Sequence, residues 1–151
     1  MTILRSDPKR ARVGTAIIEL AVALPVLLLI VLGAADFGRM FFTGITVANA
    51  ARATAEYATL TVENSGKDTA ILNQIGRDDA GDVADVVVTS ERFCRCPNGT
   101  TPACDGTCPG TPSAPEIFVK AKAQKTINLI LRYPGLRSTM TFRDSATFRA
   151  Q

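Results

Sequence analysis

The stretch Arg12–Asp36, RVGTAIIELAVALPVLLLIVLGAAD, decides how the rest of the chain is read. Leu20 to Ala35 carries no charge. With Thr15 to Glu19 in front, the segment reaches about 20 residues, enough for a helix to cross a hydrocarbon core of roughly 30 Å. Yet Glu19 sits in the first apolar turn, five residues after Gly14. A charged side chain at the centre of a membrane helix costs on the order of 2.5–3.5 kcal/mol, and less near an end. Upstream, Arg5, Lys9, Arg10 and Arg12 face only Asp7, and this tail accounts for the whole formal net charge of +3 of the 151-residue chain. A basic flank predicts the N-terminus inside and everything beyond about Arg39 outside the cytoplasm. The neutral remainder offers no basic face for nucleic acid.

Small and apolar residues continue past Asp36 as FGRMFFTGITVANAARATAEYATLTVENSGK, residues 37–67. The pattern predicts one helix from Thr15 to about Val62, roughly 70 Å long at 1.5 Å per residue, ending before the stop signal Asn64-Ser65-Gly66. Ala48, Ala51, Ala55 and Ala58 recur at helical spacing as one narrow small-residue face. Such a face packs on its own domain or lets helices of neighbouring subunits approach closely, and both uses fit different parts of one long helix. Asp36/Arg39 and Arg52/Glu56 stand at pairing distance along the helix. Pro25 removes one backbone bond inside the apolar run, with Gly33, Gly38 and Gly44 beyond it; proline there is tolerable in a membrane helix.

Downstream, Asp68–Ala80 reads as a short helix with Ala70, Ile71, Ile75 and Leu72 as its inward candidates. The β-branched run Val83–Thr89 predicts a strand that can extend to Phe93. Pro97–Pro115 is a proline- and glycine-rich loop. Glu116–Gln124 alternates Ile117, Val119 and Ala121 against Phe118, Lys120 and Lys122, a half-buried strand. Thr126–Arg132 fits a helical turn or a strand, and Tyr133-Pro134-Gly135 breaks it. Ser138–Ala150 alternates again, with a bulge expected near Asp144-Ser145. The fold class is α+β: a long N-terminal helix packed on a small antiparallel sheet. The divisions expected are a basic leader over 1–14, a transmembrane part over 15–38, an extracytoplasmic stem over 39–63 and a globular domain over 64–151, with a cysteine loop at 94–108.

Cys94, Cys96, Cys104 and Cys108 are the four cysteines of the chain, clustered within that loop. In an exported domain such a cluster reads as disulfides. Cys94 with Cys96 is disfavoured, because residues two apart in an extended chain approach the limit of Cα separation for a bridge. Both 94–104 with 96–108 and 94–108 with 96–104 remain. Zinc is the competing use, but the spacing departs from the common ligand pairs and the chain has no histidine. Asn98-Gly99-Thr100 matches the glycosylation acceptor pattern, a triplet that also arises by chance.

Glu19 has three competing explanations. It can snorkel to the headgroups. It can belong to a secretory signal, with Gly33-Ala34-Ala35 as a cleavage site before Asp36. Or Gly14 ends a short leader, Thr15 becomes the new N-terminus, and its amine neutralises Glu19 between adjacent subunits; a charge in lipid becomes tolerable with a partner. The residues that favour the third explanation form a pattern: Gly14, Glu19, Pro25, the leucine-rich run, Gly33, Asp36-Phe37-Gly38-Arg39 and Ala50-Ala51-Arg52. This pattern resembles the TadE-like family of pseudopilins, including its TadF relatives, from the tight-adherence (Tad/Flp) pilus systems. The family usually carries an aromatic after the glutamate, where this chain has Leu20.

The resemblance implies a minor pilin or pseudopilin acting in pilus assembly, adherence and secretion. It implies cleavage after Gly14 by a membrane-embedded prepilin peptidase. Its partners would be membrane lipid, other pilins or pseudopilins, an inner-membrane assembly platform and its ATPase. The expected location is the inner membrane, single-pass, with the C-terminus in the periplasm or in an assembled pilus.

No catalytic constellation stands against this reading: the chain has no histidine and no glycine-rich phosphate loop. No enzyme activity, cofactor or small-molecule substrate is expected. Asp78, Asp79, Asp82 and Asp85 lack the glycine-turn pattern of a calcium loop and read as a solvated face. Asp105 and Glu116 have no identifiable partner. Two other classes stay open: a membrane-anchored binding module with the helix as a tether, and a secreted protein freed after Ala35.

Overall fold

The computed structural model describes residues 8–81, 85–110, 113–132, 134–135 and 137–150, with the backbone path alone for 8–15. Residues 1–7 of the expected leader, Asp82, Val83 and Tyr133 lie outside the described residues. The order is α1 (Pro8–Thr59), α2 (Val62–Ser65), α3 (Thr69–Asp79), β1 (Val87–Arg95), β2 (Glu116–Asn128) and β3 (Thr139–Arg149). The three strands form one antiparallel sheet with β2 in the middle. The helices cover one face: α1 lies across β2 and β3, and α3 packs against α1 and β1. This is the expected α+β class.

The sequence explains α1 in two halves. Apart from Glu19, residues 16–35 are apolar or glycine, and almost every side chain is exposed, with no cover from the other described residues. The most apolar window of this helix has a mean hydropathy of 2.7, so it is a candidate membrane span. From Asp36 onward one face is buried. Val47, Ala50 and Ala51 join Ala80, Val86, Val88 and Ala123 in the main core, with Phe142 and Ala146 packed on its margin. Ala58 joins Leu72 and Val119 in a second cluster beside Tyr57. Small side chains let the sheet and α3 lie close to the helix. Thr46, Thr54 and Thr59 enter the same face because each hydroxyl donates back to the carbonyl four residues earlier, at 2.9–3.0 Å.

α1 ends earlier than the pattern suggested. Thr61 is extended, and its hydroxyl accepts from the Asn64 amide, starting the separate turn α2. Asn64 Nδ2 also caps the Tyr57 carbonyl at 3.2 Å. The N-capping threonine wins over continuation, and Asn64 and Ser65 lie inside α2 rather than in a terminating loop.

α3 has the expected place, with Asp68 as N-cap accepting from the Ala70 amide. Its inward face is rotated. Leu72 and Gly76 are buried, Ile75 is half-buried, and Ala70 and Ile71 are exposed. The rotation follows from Gly76: a Cβ there would lie 2.9 Å from the Ala50 carbonyl oxygen, so glycine sets the closest approach of α3 to α1.

β1 lies further along than the β-branched run indicated, because Asp85 takes a left-handed φ of 67° and interrupts extension before Val86. Its register with β2 runs from Val87↔Gln124 to Arg95↔Glu116. The ambiguous Thr126–Arg132 segment continues β2 as strand to Asn128. The bulge expected near Asp144-Ser145 is absent: Ala123↔Asp144 and Lys122↔Ser145 keep the ladder in step. Polar residues there reflect an exposed edge strand and need no extra residue.

Candidate functional site

Two regions of α1 and one loop carry the chemistry singled out by sequence. Glu19 lies on the exposed part of α1, and among the described residues nothing partners it. Gly14 and Thr15 lie within the helical backbone of α1, and α1 runs unbroken through Pro25. Ala51, Ala55 and Ala58 are fully buried within the molecule, and Ala48 is half-buried. Ala48 lies instead in an open apolar groove of about 530 Å³, with Phe37, Met40, Phe41 and Ile45 along the helix and Met140 and Phe142 on β3.

Asp36 is the residue whose role sequence reasoning missed. Its side chain is only 2% exposed. The carboxylate accepts from the Ile130 amide at 2.9 and 3.1 Å and from the Leu131 amide at 3.0 Å. It thereby ties the end of the apolar run to the β2–β3 connection, 94 residues away in sequence. The expected i,i+3 partner, Arg39, approaches only to 3.9 Å and is half-exposed, so it adds little. Among the described residues no ion pair joins Arg52 to Glu56. The one hint to Asp36 in sequence was a carboxylate placed directly after an apolar run.

The cysteines form two bridges, Cys94–Cys104 and Cys96–Cys108, with Cα separations of 5.2 and 5.7 Å. One of the two open connectivities is thereby chosen. The choice follows from the turn at Cys96–Thr100. The Cys96 amide donates to the Thr100 carbonyl and the Gly99 amide to the Cys96 carbonyl, both at 2.8 Å. The chain folds back so that Cys104 faces Cys94. Asn98 builds the same loop: its side-chain oxygen accepts from the Thr100 amide and hydroxyl, and its nitrogen donates to the Pro109 carbonyl at 3.3 Å.

Of the four aspartates weighed for a cation, Asp82 lies outside the described residues. Asp78 accepts from Gln74, and Asp79 and Asp85 are exposed. Among the described residues no group of three His, Cys, Asp or Glu side chains could hold a metal. Glu116 pairs with Arg149 across the sheet at 2.6 Å, while Asp105 is exposed in the cysteine loop. The outer face of the sheet holds an open depression of about 430 Å³ around Lys120, Lys122 and Arg143, where Arg143 donates to Gln124.

Residues 14–56 match the model of the TadE-like protein family. The match covers the apolar run and most of the small-residue half of α1, and stops before the sheet. No curated protein and no solved structure matches the chain.

Proposed function

We propose that this chain is a minor pilin or pseudopilin of a Tad (Flp) pilus assembly system. The observation that carries the reading is the family match over 14–56, lying on a helix whose first 20 or so apolar residues are left uncovered by the other described residues. Such a surface needs either lipid or other helices. In the membrane, lipid covers it. In an assembly, parallel stems from neighbouring subunits replace the lipid, and association rests on packing and polar pairing. A prepilin peptidase removes residues 1–14, and the new Thr15 amine pairs with Glu19 of an adjacent subunit. An inner-membrane platform draws the subunit out of lipid, and the domain beyond residue 63 remains in the periplasm or on the fibre. The protein works in this scheme as a peptidase substrate and an assembly component, supporting adherence and secretion.

The intact mass and N-terminal peptide of the membrane-extracted protein, from a host carrying the matching peptidase, test this reading. A start at Thr15 is expected. An intact leader beside an active peptidase would reduce the helix to a tether, and a start at Asp36 would mean a secreted domain.

A further inference from the structure

We propose that the tip of the β2–β3 hairpin is a second membrane contact, a foot that rests on the anionic headgroups of the outer face of the same membrane. The inference rests on the reading that residues 15–38 span that membrane. Asp36 lies one residue, about 1.5 Å of helix rise, beyond the uncharged run. Its carboxylate holds the amides of Ile130 and Leu131 at 2.9–3.1 Å. The hairpin tip is therefore fixed beside the helix at the level where the apolar run ends.

The residues at that level suit a lipid interface. Ile130 is a large aliphatic residue left 51% exposed, next to the half-buried Leu131. Arg132 follows directly, and Arg137 and Arg39 are also exposed. Interfacial elements place aliphatic side chains ~5–10 Å below the headgroup boundary. Guanidinium groups match phosphate oxygens in a bidentate fork, and clustered basic residues are drawn to anionic lipid. A second copy of the chain fits this patch poorly. Three arginines would meet three arginines. The cysteine loop lies at the other end of β2, roughly 40 Å away at about 3.3 Å per residue.

The chain contains no tryptophan, so single substitutions give clean reporters. Ile130→Trp, Leu24→Trp and Thr101→Trp are each placed in the full chain and reconstituted into phosphatidylglycerol-containing vesicles with bromines on the upper acyl chains or at the bilayer centre. Leu24→Trp should be quenched by deep bromines, Ile130→Trp severalfold by shallow ones, and Thr101→Trp by neither. Arg132→Glu with Arg137→Glu, added to Ile130→Trp, should remove most of the shallow quenching. Arg132→Trp, at an exposed position, supplies a second reporter should Ile130→Trp disturb the fold. An unquenched tip beside a quenched Leu24→Trp overturns the foot while leaving the span intact. An unquenched Leu24→Trp overturns the span itself. A blue-shifted tip without bromine quenching means that protein covers it and also overturns the proposal. Quenching indifferent to the charge reversals overturns the assignment to anionic headgroups.

Discussion

Asp36 should be the most sensitive surface-remote carboxylate in this chain. It offers two oxygens to two amides: Ile130 N–H is shared between both, and Leu131 N–H goes to Oδ2. A hydrogen bond to a charged group contributes about 1.5–3 kcal/mol net. Asp36→Ala loses both donors' partner, which sets an upper figure of about 3–6 kcal/mol. Water can reach the freed amides, because Ile130 is half-exposed, so about 2–4 kcal/mol is the working estimate. Asp36→Asn keeps one oxygen and turns an amide nitrogen toward the donors, costing about 1–2 kcal/mol. For a domain near this size each kcal/mol moves Tm by about 4 °C. Thermal unfolding in detergent, with disulfides intact, should therefore fall by about 4–8 °C for Asp36→Asn and about 8–16 °C for Asp36→Ala. Hydrogen exchange at the Ile130 and Leu131 amides should accelerate in both. Arg39→Gln should stay within about 0.5 kcal/mol of the parent. An Asp36→Ala chain that melts with the parent and protects those two amides equally would refute the reasoning.

Three further outcomes are expected. Glu19→Gln should insert into the membrane normally but enter the assembly less well, read as the ratio of fibre-associated to membrane protein; normal incorporation would sink the pairing with the Thr15 amine. Gly76→Ala gains up to about 1 kcal/mol of helix propensity but must move a backbone carbonyl at 2.9 Å. Overpacking of this kind costs about 1–3 kcal/mol, so denaturant titration should show net destabilisation, whereas a more stable variant would mean that α3 shifts freely. Replacing Cys96 and Cys108 together by serine opens a bridge of sequence separation 12, which costs about 2–4 kcal/mol. Proteolysis should then cut first within Pro97–Pro115, and an uncut loop would show that the turn at Asn98 holds it unaided.

The long helix and the sheet's alternation were legible because both rest on periodicity. Val119, Ala121, Ala123 and Ile127 are buried, and the first two stand on the predicted face. What escaped was set by tertiary contact. The face of α3 turned on Gly76, a residue with no side chain to mark it as inward. The end of α1 turned on a competition between Thr61 as a cap and the helix behind it. The expected bulge rested on polar residues that are simply exposed at the edge of the sheet. Asp36 read as half of a weak helical ion pair, because its true partners are backbone amides and no sequence pattern announces a backbone donor 94 residues away.

That placement of Asp36 also bears on extraction from lipid. Below it, α1 presents apolar side chains on nearly every side; above it, one face belongs to the core. A carboxylate at the junction would be costly if it faced hydrocarbon. Satisfied by two amides of its own domain, it carries that charge inside the protein. The contacts of Val47, Ala51, Ala55 and Ala58 all lie on the domain side of the junction. In the proposed assembly scheme, withdrawing the span exchanges lipid for other stems without opening the core, and the cost falls on residues 16–35, where Glu19 is the one charge to be matched, and on the proposed headgroup contact of the hairpin tip.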